Sequence, residues 1–429
     1  MNRVLRNAGV CLIGVGVLCN QWVLSIFFPG DGFHIANALS KSHGAWDSAS
    51  LLLIWTGQLG SLILGAMVIA YRRSPRKLLF SIVVLAASTF FSLFLLEGLL
   101  RILSPPNMFS PELALRPHNK LELHTDLHGV SPVAHNTTNR WGLRGDEPPQ
   151  NWSEYTTIVV IGGSTAQCFY LDDHKTWAYL LQEKLKPAIP KVWVGNGGLS
   201  GQSTRGHIVF VREVIPSIRP TIVLLLVGAN DLGFSMNQEN REYGNPVERT
   251  GWRRFVFRNS RLIQLASLWK EILIGHAVVL DKGSNVNFVP EKLEREMELP
   301  ADIRSILPGI DEYKQNLRTI IGDLRRLGSR PVFMTQPLLF DTTEEWKHLA
   351  GREYSSGGLK GTVSAASFAK MLDIYNGELK RICAEDSVEV LDLAPAIPHS
   401  TDHFYDVMHF NERGADLVAE RIAHYLLSH

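Results

Sequence analysis

This chain has few cysteines, almost no net charge and no low-complexity sequence, and each of these features excludes a class of protein. Four cysteines among 429 residues are too few for a small fold that is held together by disulfides. The 43 basic residues nearly balance the 42 acidic ones, so the charge does not indicate a nucleic-acid-binding surface. Glycine and proline contents are ordinary, which excludes a collagen-like or disordered chain. The length predicts two or three domain-sized units.

Apolar residues are concentrated in the first hundred positions. Three long runs, at about 8–28, 51–71 and 78–100, each approach the ~20 residues that a helix needs to cross a bilayer. Glu97 is the only charged residue within these runs. The alternatives are a signal peptide for the first run and buried core helices for the other two. We predict a membrane domain over residues 1–104 that contains three transmembrane helices.

Basic residues beside the short loops predict how this membrane domain is oriented. Arg3 and Arg6 precede the first run, and four basic residues lie within 72–77, whereas the loop 29–50 has only Lys41. The N-terminus and the 72–77 loop are therefore expected in the cytoplasm. Three crossings then place the chain after residue 104 in the periplasm or outside the cell. The sequence thus predicts a multi-pass protein of a bacterial inner (cell) membrane.

The rest of the chain alternates predicted strands with predicted helices. After a polar connecting segment, 105–155, apolar runs rich in β-branched residues occupy 156–161, 192–194, 221–227, 331–335 and 388–391. Helical patterns lie between them, which predicts a three-layer α/β domain over 156–429 with a parallel sheet. Residues of about 234–302 interrupt the alternation and are predicted to be an insertion near the active-site end of the strands.

The first of four short motifs, Gly-Gly-Ser-Thr at 162–165, follows the first predicted strand. A serine on such a strand-to-helix turn exposes its hydroxyl, and the helix N-terminus supplies N–H groups and a positive dipole. Ser164 is therefore a candidate nucleophile. A phosphate-binding loop is the competing interpretation, but the chain lacks the Gly-Lys-Ser/Thr of a P-loop.

The second and third motifs follow the next two predicted strands. The glycine-rich stretch 196–203 contains Gly201, whose backbone N–H can approach a reacting oxygen closely. The stretch 228–231 contains Asn230, whose side-chain amide can donate a hydrogen bond to an oxyanion. An ordinary loop and a helix N-cap are the respective alternatives.

The fourth motif places Asp406 three residues before His409, just before the last predicted helix. A carboxylate at that spacing can hold one imidazole nitrogen while the other nitrogen takes a proton from a serine. A metal site that adds Asp402 and His403 is the rival interpretation, although no further ligand motif completes it.

In this order, the four motifs resemble blocks I, II, III and V of the SGNH (GDSL-like) hydrolase superfamily, over about 156–429. The resemblance implies that Ser164 is the nucleophile, that His409 is the general base and that Asp406 orients His409. It also implies an oxyanion hole formed by the N–H groups of Ser164 and Gly201 and the side chain of Asn230. No metal or organic cofactor is implied.

One position departs from the superfamily pattern, because Gly163 stands where many members have the aspartate of Gly-Asp-Ser. This difference puts substrate preference in doubt more than the identity of the nucleophile. The stretch 164–185 also resembles the membrane-anchored bacterial branch whose first motif is Gly-Gly-Ser-Thr.

The resemblance implies a serine esterase that forms an acyl-serine and acts on an acylated glycan or lipid on the non-cytoplasmic side of the membrane. An O-acyltransferase that modifies an exported polysaccharide is a second hypothesis, and it would require a membrane partner protein to deliver the acyl group. A non-catalytic binding module is the third.

Two further predictions concern residues outside these motifs. Four arginines of the insertion are expected to bind an anionic glycan or lipid headgroup, with a solvated helix end as the alternative: Arg253, Arg254, Arg258 and Arg261. Cys168 and Cys383 form a disulfide in an oxidising compartment or stay as two buried thiols.

Overall fold

The computed structural model describes residues 117–237 and 291–429 without a break, the helix 75–103, and a few short stretches elsewhere, at 6–7, 10–14, 62–63, 66–70, 113, 115, 255–256 and 259–263. Two compact units make up the chain. One comprises Met1–Pro106 with Thr250–Lys282, and the other comprises Asn107–Arg249 with Gly283–His429. The predicted insertion, about 234–302, is therefore divided between the two units.

The longest described element of the first unit is helix α1, Pro75–Leu103. Its described side chains are mostly apolar and exposed, as at Phe80, Phe90 and Phe94. Near its end, Glu97 accepts a hydrogen bond from Arg101 at 2.9 Å.

Taken over the described residues, none of the helices combines the length and the apolar run that a bilayer crossing requires. The predicted spans at about 8–28 and 51–71 lie largely outside those residues.

The second unit contains a five-stranded parallel sheet and two antiparallel hairpins. In chain order the strands are β1 (Lys120–His124), β2 (Val133–Thr137), β3 (Thr156–Gly162), β4 (Val192–Asn196), β5 (Ile222–Leu226), β6 (Arg330–Met334), β7 (Ala350–Ser356), β8 (Leu359–Ser364) and β9 (Glu389–Leu391). The hairpins are β1–β2 and β7–β8, and neither was predicted from the sequence. The central sheet has the order β4-β3-β5-β6-β9, which confirms the predicted parallel α/β sheet.

Eight helices of the second unit lie among the described residues and connect or flank these strands. They are α2 (Ser164–Gln167), α3 (Trp177–Leu185), α4 (Thr204–Glu213), α5 (Ile215–Ile218), α6 (Ala229–Met236), α7 (Ile310–Leu327), α8 (Ala365–Glu385) and α9 (Glu412–Ser428). Helix α3 packs against α9, and α4 packs against α7, which also contacts α8. Every residue of β4 and β5 is buried, so helices cover the sheet on both faces.

One predicted helix is divided in two. The sequence predicts a helix over 203–215 that ends before Pro216, but α4 ends at Glu213 and α5 begins at Ile215. Proline has no N–H to continue the hydrogen bonds of α4, whereas the first turn of a new helix does not need that N–H. Pro216 therefore lies in the first turn of a short helix instead of following the end of a long one.

The strand order determines where a site forms. The chain passes from β3 to β4 on one side, and then crosses to β5 on the other side of β3. Such a reversal opens a crevice at the carboxyl ends of the strands. The first, second and third motifs follow β3, β4 and β5, so all three lie at that crevice.

Candidate active site

A tight turn after β3 places Ser164 at the first position of α2. At Gly162, an added Cβ would lie 2.6 Å from the Ala166 Cβ atom and 2.8 Å from the Leu226 carbonyl oxygen. Only glycine fits there without displacing the neighbouring strand. The turn therefore brings the Ser164 hydroxyl to the edge of the sheet, next to the start of a helix.

The structure brings Ser164, His409 and Asp406 together. The His409 Nε2 atom lies 2.7 Å from the Ser164 Oγ atom, and its Nδ1 atom lies 2.7 Å from Asp406 Oδ2. A carboxylate only accepts hydrogen bonds, so Nδ1 carries the imidazole proton and Nε2 accepts one from the serine hydroxyl. This chain of hydrogen bonds leaves Nε2 placed to remove the Ser164 proton.

Asp406 is held as a carboxylate. Its Oδ1 atom accepts hydrogen bonds from the backbone N–H groups of Met408, at 2.9 Å, and His409, at 2.8 Å. Burial by itself raises the pKa of Asp406, but the His409 imidazole and these two N–H groups outweigh it and hold the pKa below its usual value. The carboxylate therefore fixes the histidine ring. The Tyr405 ring also stacks on His409, with 5.5 Å between the ring centroids.

Asn230 lies beside the nucleophile turn. Its Nδ2 atom donates to the Gln202 carbonyl at 2.9 Å, and a Cβ atom added at Gly163 would lie only 2.3 Å from Nδ2. The N-cap of α6 is Gly228, with φ +108°, so the N-cap interpretation of Asn230 is wrong. The side-chain amide instead extends toward the residue that precedes Ser164, where a donor to an oxyanion is needed.

Gly201 occupies a turn next to α2. It has φ +76°, a conformation that favours glycine, and the turn closes with a hydrogen bond from the Gln202 N–H to the Leu199 carbonyl. The neighbouring Ser200 N–H donates to the side chain of Gln167 at 3.1 Å, which attaches this loop to the end of α2.

Asp231 connects the second and third motifs. Its buried carboxylate accepts hydrogen bonds from the backbone N–H and the hydroxyl of Thr204, the first residue of α4. Burial raises the pKa of Asp231 to about 6. The pair therefore fixes the start of α4 relative to the start of α6, and with them the turn that contains Gly201 and the first helical turn that contains Asn230.

Two residues that support the site were not singled out from the sequence. Gln336 follows β6 and is buried, and its Oε1 atom accepts a hydrogen bond from the Thr165 hydroxyl at 3.0 Å. Asn376 of α8 bonds to both the N–H and the carbonyl of Gln336. The only sequence signal was the place of Gln336 just after a strand, the location shared by the first three motifs. The other residue is Arg144, in the connecting segment 105–155, where the neighbouring Trp141 packs edge-on against Trp193.

The remaining predictions concern the insertion arginines, the two buried cysteines and the alternative metal site. Arg261 belongs to the first unit, where its backbone N–H donates to Glu97, while Arg253, Arg254 and Arg258 lie outside the described residues. Cys168 and Cys383 are both buried free thiols, so the disulfide alternative is wrong. Asp402 lies 3.8 Å from Arg413, and among the described residues no three potential ligands form the alternative metal site.

A parallel α/β sheet with a serine, a histidine and an aspartate linked at its carboxyl edge defines a serine hydrolase. The GDSL-like Lipase/Acylhydrolase family matches residues 160–417, which is more than half of the chain. The chain therefore belongs to this family of acylhydrolases. No curated protein matches the sequence.

The solved structures that this chain matches include three esterases or hydrolases. An acetylxylan esterase from Geobacillus stearothermophilus is 14% identical, with 63% of this chain and 93% of that chain covered and a TM-score of 0.36. The psychrotrophic esterase EstA from Pseudoalteromonas sp. is 12% identical, with 64% and 97% covered and a TM-score of 0.36. An α/β hydrolase from the metagenome of Lake Arreo, Spain, is 13% identical, with 62% and 93% covered and a TM-score of 0.36.

Proposed function

We propose that the protein hydrolyses acyl esters through an acyl-enzyme on Ser164, with His409 as general base and Asp406 as the residue that orients it. The observation that carries this proposal is the pair of 2.7 Å contacts that links the serine, the imidazole and the carboxylate. Membership of an acylhydrolase family agrees with this chemistry.

The reaction follows from the positions of these groups. The Ser164 hydroxyl attacks the ester carbonyl while His409 Nε2 takes its proton, and the same proton then passes to the departing alcohol. The negative oxygen of the tetrahedral intermediate receives hydrogen bonds from the Ser164 and Gly201 N–H groups and from Asn230. Each such donor contributes roughly 3–4 kcal/mol to the stability of the transition state. Water, activated by His409, then releases the acyl group from the serine.

The proposed substrate is an acylated glycan or lipid on the non-cytoplasmic side of a bacterial cell membrane. The apolar runs before residue 104 and the basic loop 72–77 support this location. The exposed apolar side chains along α1, such as Phe90, Phe91 and Phe94, are a further support, because a hydrocarbon environment would solvate them.

The test of the proposed chemistry compares Ser164→Ala with Ser217→Ala, a change at an exposed serine of α5. Without its nucleophile, the full-length Ser164→Ala protein should lose roughly 10³-fold or more of its turnover of small esters. It should also lose labelling by a serine-directed phosphonate, whereas Ser217→Ala should keep both. Wild-type turnover in the Ser164→Ala protein would refute the nucleophile assignment.

The same assay separates hydrolysis from transfer. The acyl-serine can pass its acyl group either to water or to a sugar hydroxyl. The assay is therefore repeated with acylated glycan and lipid donors, and with a glycan acceptor. Free acid in the presence of the acceptor supports the hydrolase. Formation of an acylated acceptor would instead support the O-acyltransferase hypothesis and contradict the hydrolase proposal.

A further inference from the structure

Arg144 is a buried cation at the back of the nucleophile turn. Only 4% of its side chain is exposed, and it precedes residue 160, where the family match begins. A guanidinium has five N–H donors. In this structure all five are used: Nε donates to Asp173 at 2.8 Å, one terminal nitrogen donates to the carbonyls of Gln167 (3.1 Å) and Cys168 (2.6 Å), and the other donates to the carbonyls of His135 (3.1 Å) and Leu171.

Two of these carbonyls close the helix that begins with Ser164. Helix α2 has only four residues, Ser164–Gln167, and Cys168 follows it in a left-handed conformation with φ +52°. A single helical turn is not stable alone, and a non-glycine residue with positive φ needs support from its surroundings. The guanidinium supplies both a hydrogen-bond partner for the free carbonyls and a positive charge at the helix C-terminus.

The backbone of Arg144 is itself fixed to the sheet. Its N–H and carbonyl exchange hydrogen bonds with Asn196, at the end of β4, at 2.8 Å each. The Asn196 side chain in turn donates to the Ala166 carbonyl at 2.7 Å. Three successive carbonyls, from residue 166 to residue 168, are therefore held by Asn196 and Arg144.

Asp173 completes the arrangement and connects it to the N-terminal hairpin. Its carboxylate accepts the Nε–H of Arg144 together with the N–H and the hydroxyl of Thr137, the last residue of β2. The buried guanidinium is thus neutralised, and the segment 168–173 is held between α2 and β2. Removal of either charge would leave the other buried without a partner.

We propose that Arg144 is a positioning residue for the reaction: it holds the C-terminal end of α2 so that Ser164, at the other end of the same turn, stays within hydrogen-bond distance of His409. This inference rests on the proposed function, because it assigns to Arg144 the alignment of that nucleophile. It also gives Arg144, which precedes the family match at residues 160–417, a part in aligning the site.

The test uses the full-length Arg144→Ala and Arg144→Lys proteins, with Arg140→Ala as the matched control. Arg140 is exposed and only four residues away. With a small neutral ester, Arg144→Ala should lower kcat by about 10²-fold at nearly unchanged KM, because a displacement of about 1 Å misaligns the nucleophile. Labelling of Ser164 by a phosphonate should slow in parallel. Arg140→Ala should match the wild type in all three measurements.

Chemical rescue distinguishes positioning from general stability. Free guanidinium, at a concentration well below that which unfolds the wild type, should fill the space in Arg144→Ala and restore part of kcat, whereas equal concentrations of urea or sodium chloride should not. Arg144→Lys, which keeps the charge without the planar donors, should fold and still react more slowly than the wild type.

Three outcomes would overturn the inference. The first is an equal labelling rate in the wild type and in a folded Arg144→Ala protein. The second is a decrease in the kcat of Arg144→Ala that guanidinium does not reverse. The third is full activity in Arg144→Lys. If the wild-type protein itself were not labelled at Ser164, the proposed function would fail and the inference with it.

Discussion

At the scale of single residues, Gly163 lies against the proposed oxyanion donor Asn230. A Cβ atom at this position would lie 2.3 Å from the Asn230 Nδ2 atom and 3.4 Å from the Gln202 carbonyl oxygen. The amide of Asn230 thus occupies the space that a side chain at position 163 would need. The absence of a side chain at Gly163 therefore lets the proposed oxyanion donor lie beside the residue that precedes the nucleophile.

A substitution at Gly163 should therefore lower the rate without touching the serine. The added methyl group of Gly163→Ala pushes the Asn230 amide away from the site, and loss of one oxyanion donor costs roughly 10²–10³-fold in kcat. Steady-state kinetics on a small ester should show this loss with a nearly unchanged KM.

The control for this prediction is Gly377→Ala, on an exposed part of α8, where an added Cβ atom has no neighbour within 4 Å. It should leave kcat unchanged and raise the free energy of unfolding by up to ~1 kcal/mol, because alanine favours a helix over glycine. Wild-type turnover in Gly163→Ala would contradict the assigned position of Asn230.

At the scale of elements, helix α4 packs on the sheet through a face that contains a histidine. This face consists of Thr204, Gly206, His207, Phe210 and Val211, all buried. Burial disfavours the imidazolium form and lowers the pKa of His207 to about 4, although the Gly162 carbonyl partly offsets the effect. A neutral imidazole is therefore part of the contact between α4 and the end of β3.

This buried histidine should make stability depend on pH. The unfolded chain binds a proton at His207 near pH 6.5, whereas the folded protein does so only near pH 4. Protonation of His207 therefore does not reduce the free energy of unfolding above pH 6.5. Below that pH it reduces the free energy progressively, by about 3 kcal/mol near pH 4. Urea unfolding of the full-length protein in a mild detergent, followed by tryptophan fluorescence, measures this loss.

Other groups titrate over the same range, so the wild type is compared with His207→Leu. Asp231, with its pKa of about 6, contributes in the opposite direction, and the comparison cancels its effect. The variant should lose less stability than the wild type between pH 6.5 and pH 4. Identical pH profiles would show that His207 titrates alike in the folded and unfolded chains.

At the scale of the whole molecule, the proposed orientation in a membrane can be measured directly. A phosphatase reporter that folds only outside the cytoplasm should be active when fused after His429 and inactive when fused within residues 72–77. The reason is the cluster of basic residues at 72–77, which favours the cytoplasmic side. The reverse pattern would place the second unit in the cytoplasm and exclude exported glycans as substrates.

The sequence alone determined the features that depend on neighbouring residues. Alternating apolar runs predicted the strands of the sheet, and β3 begins at Thr156 as expected. Ser164, Asn230, Asp406 and His409 were found because each lies in a short motif at a strand end or before a helix. Such signals are local, because the side-chain pattern of a helix or strand repeats every few residues, and the motifs lie directly beside these elements in the sequence.

Only the tertiary structure decided the contacts between distant parts of the chain. Gln336 contacts Thr165 across 171 positions, and Arg144 donates to the carbonyls after Ser164 from a stretch that the sequence predicted only as a polar connecting segment. The left-handed Cys168 and the space taken by the Asn230 amide have no sequence signal of their own. Each depends on which side chains the folded sheet and helices bring together, and buried polar groups must find partners wherever the fold places them.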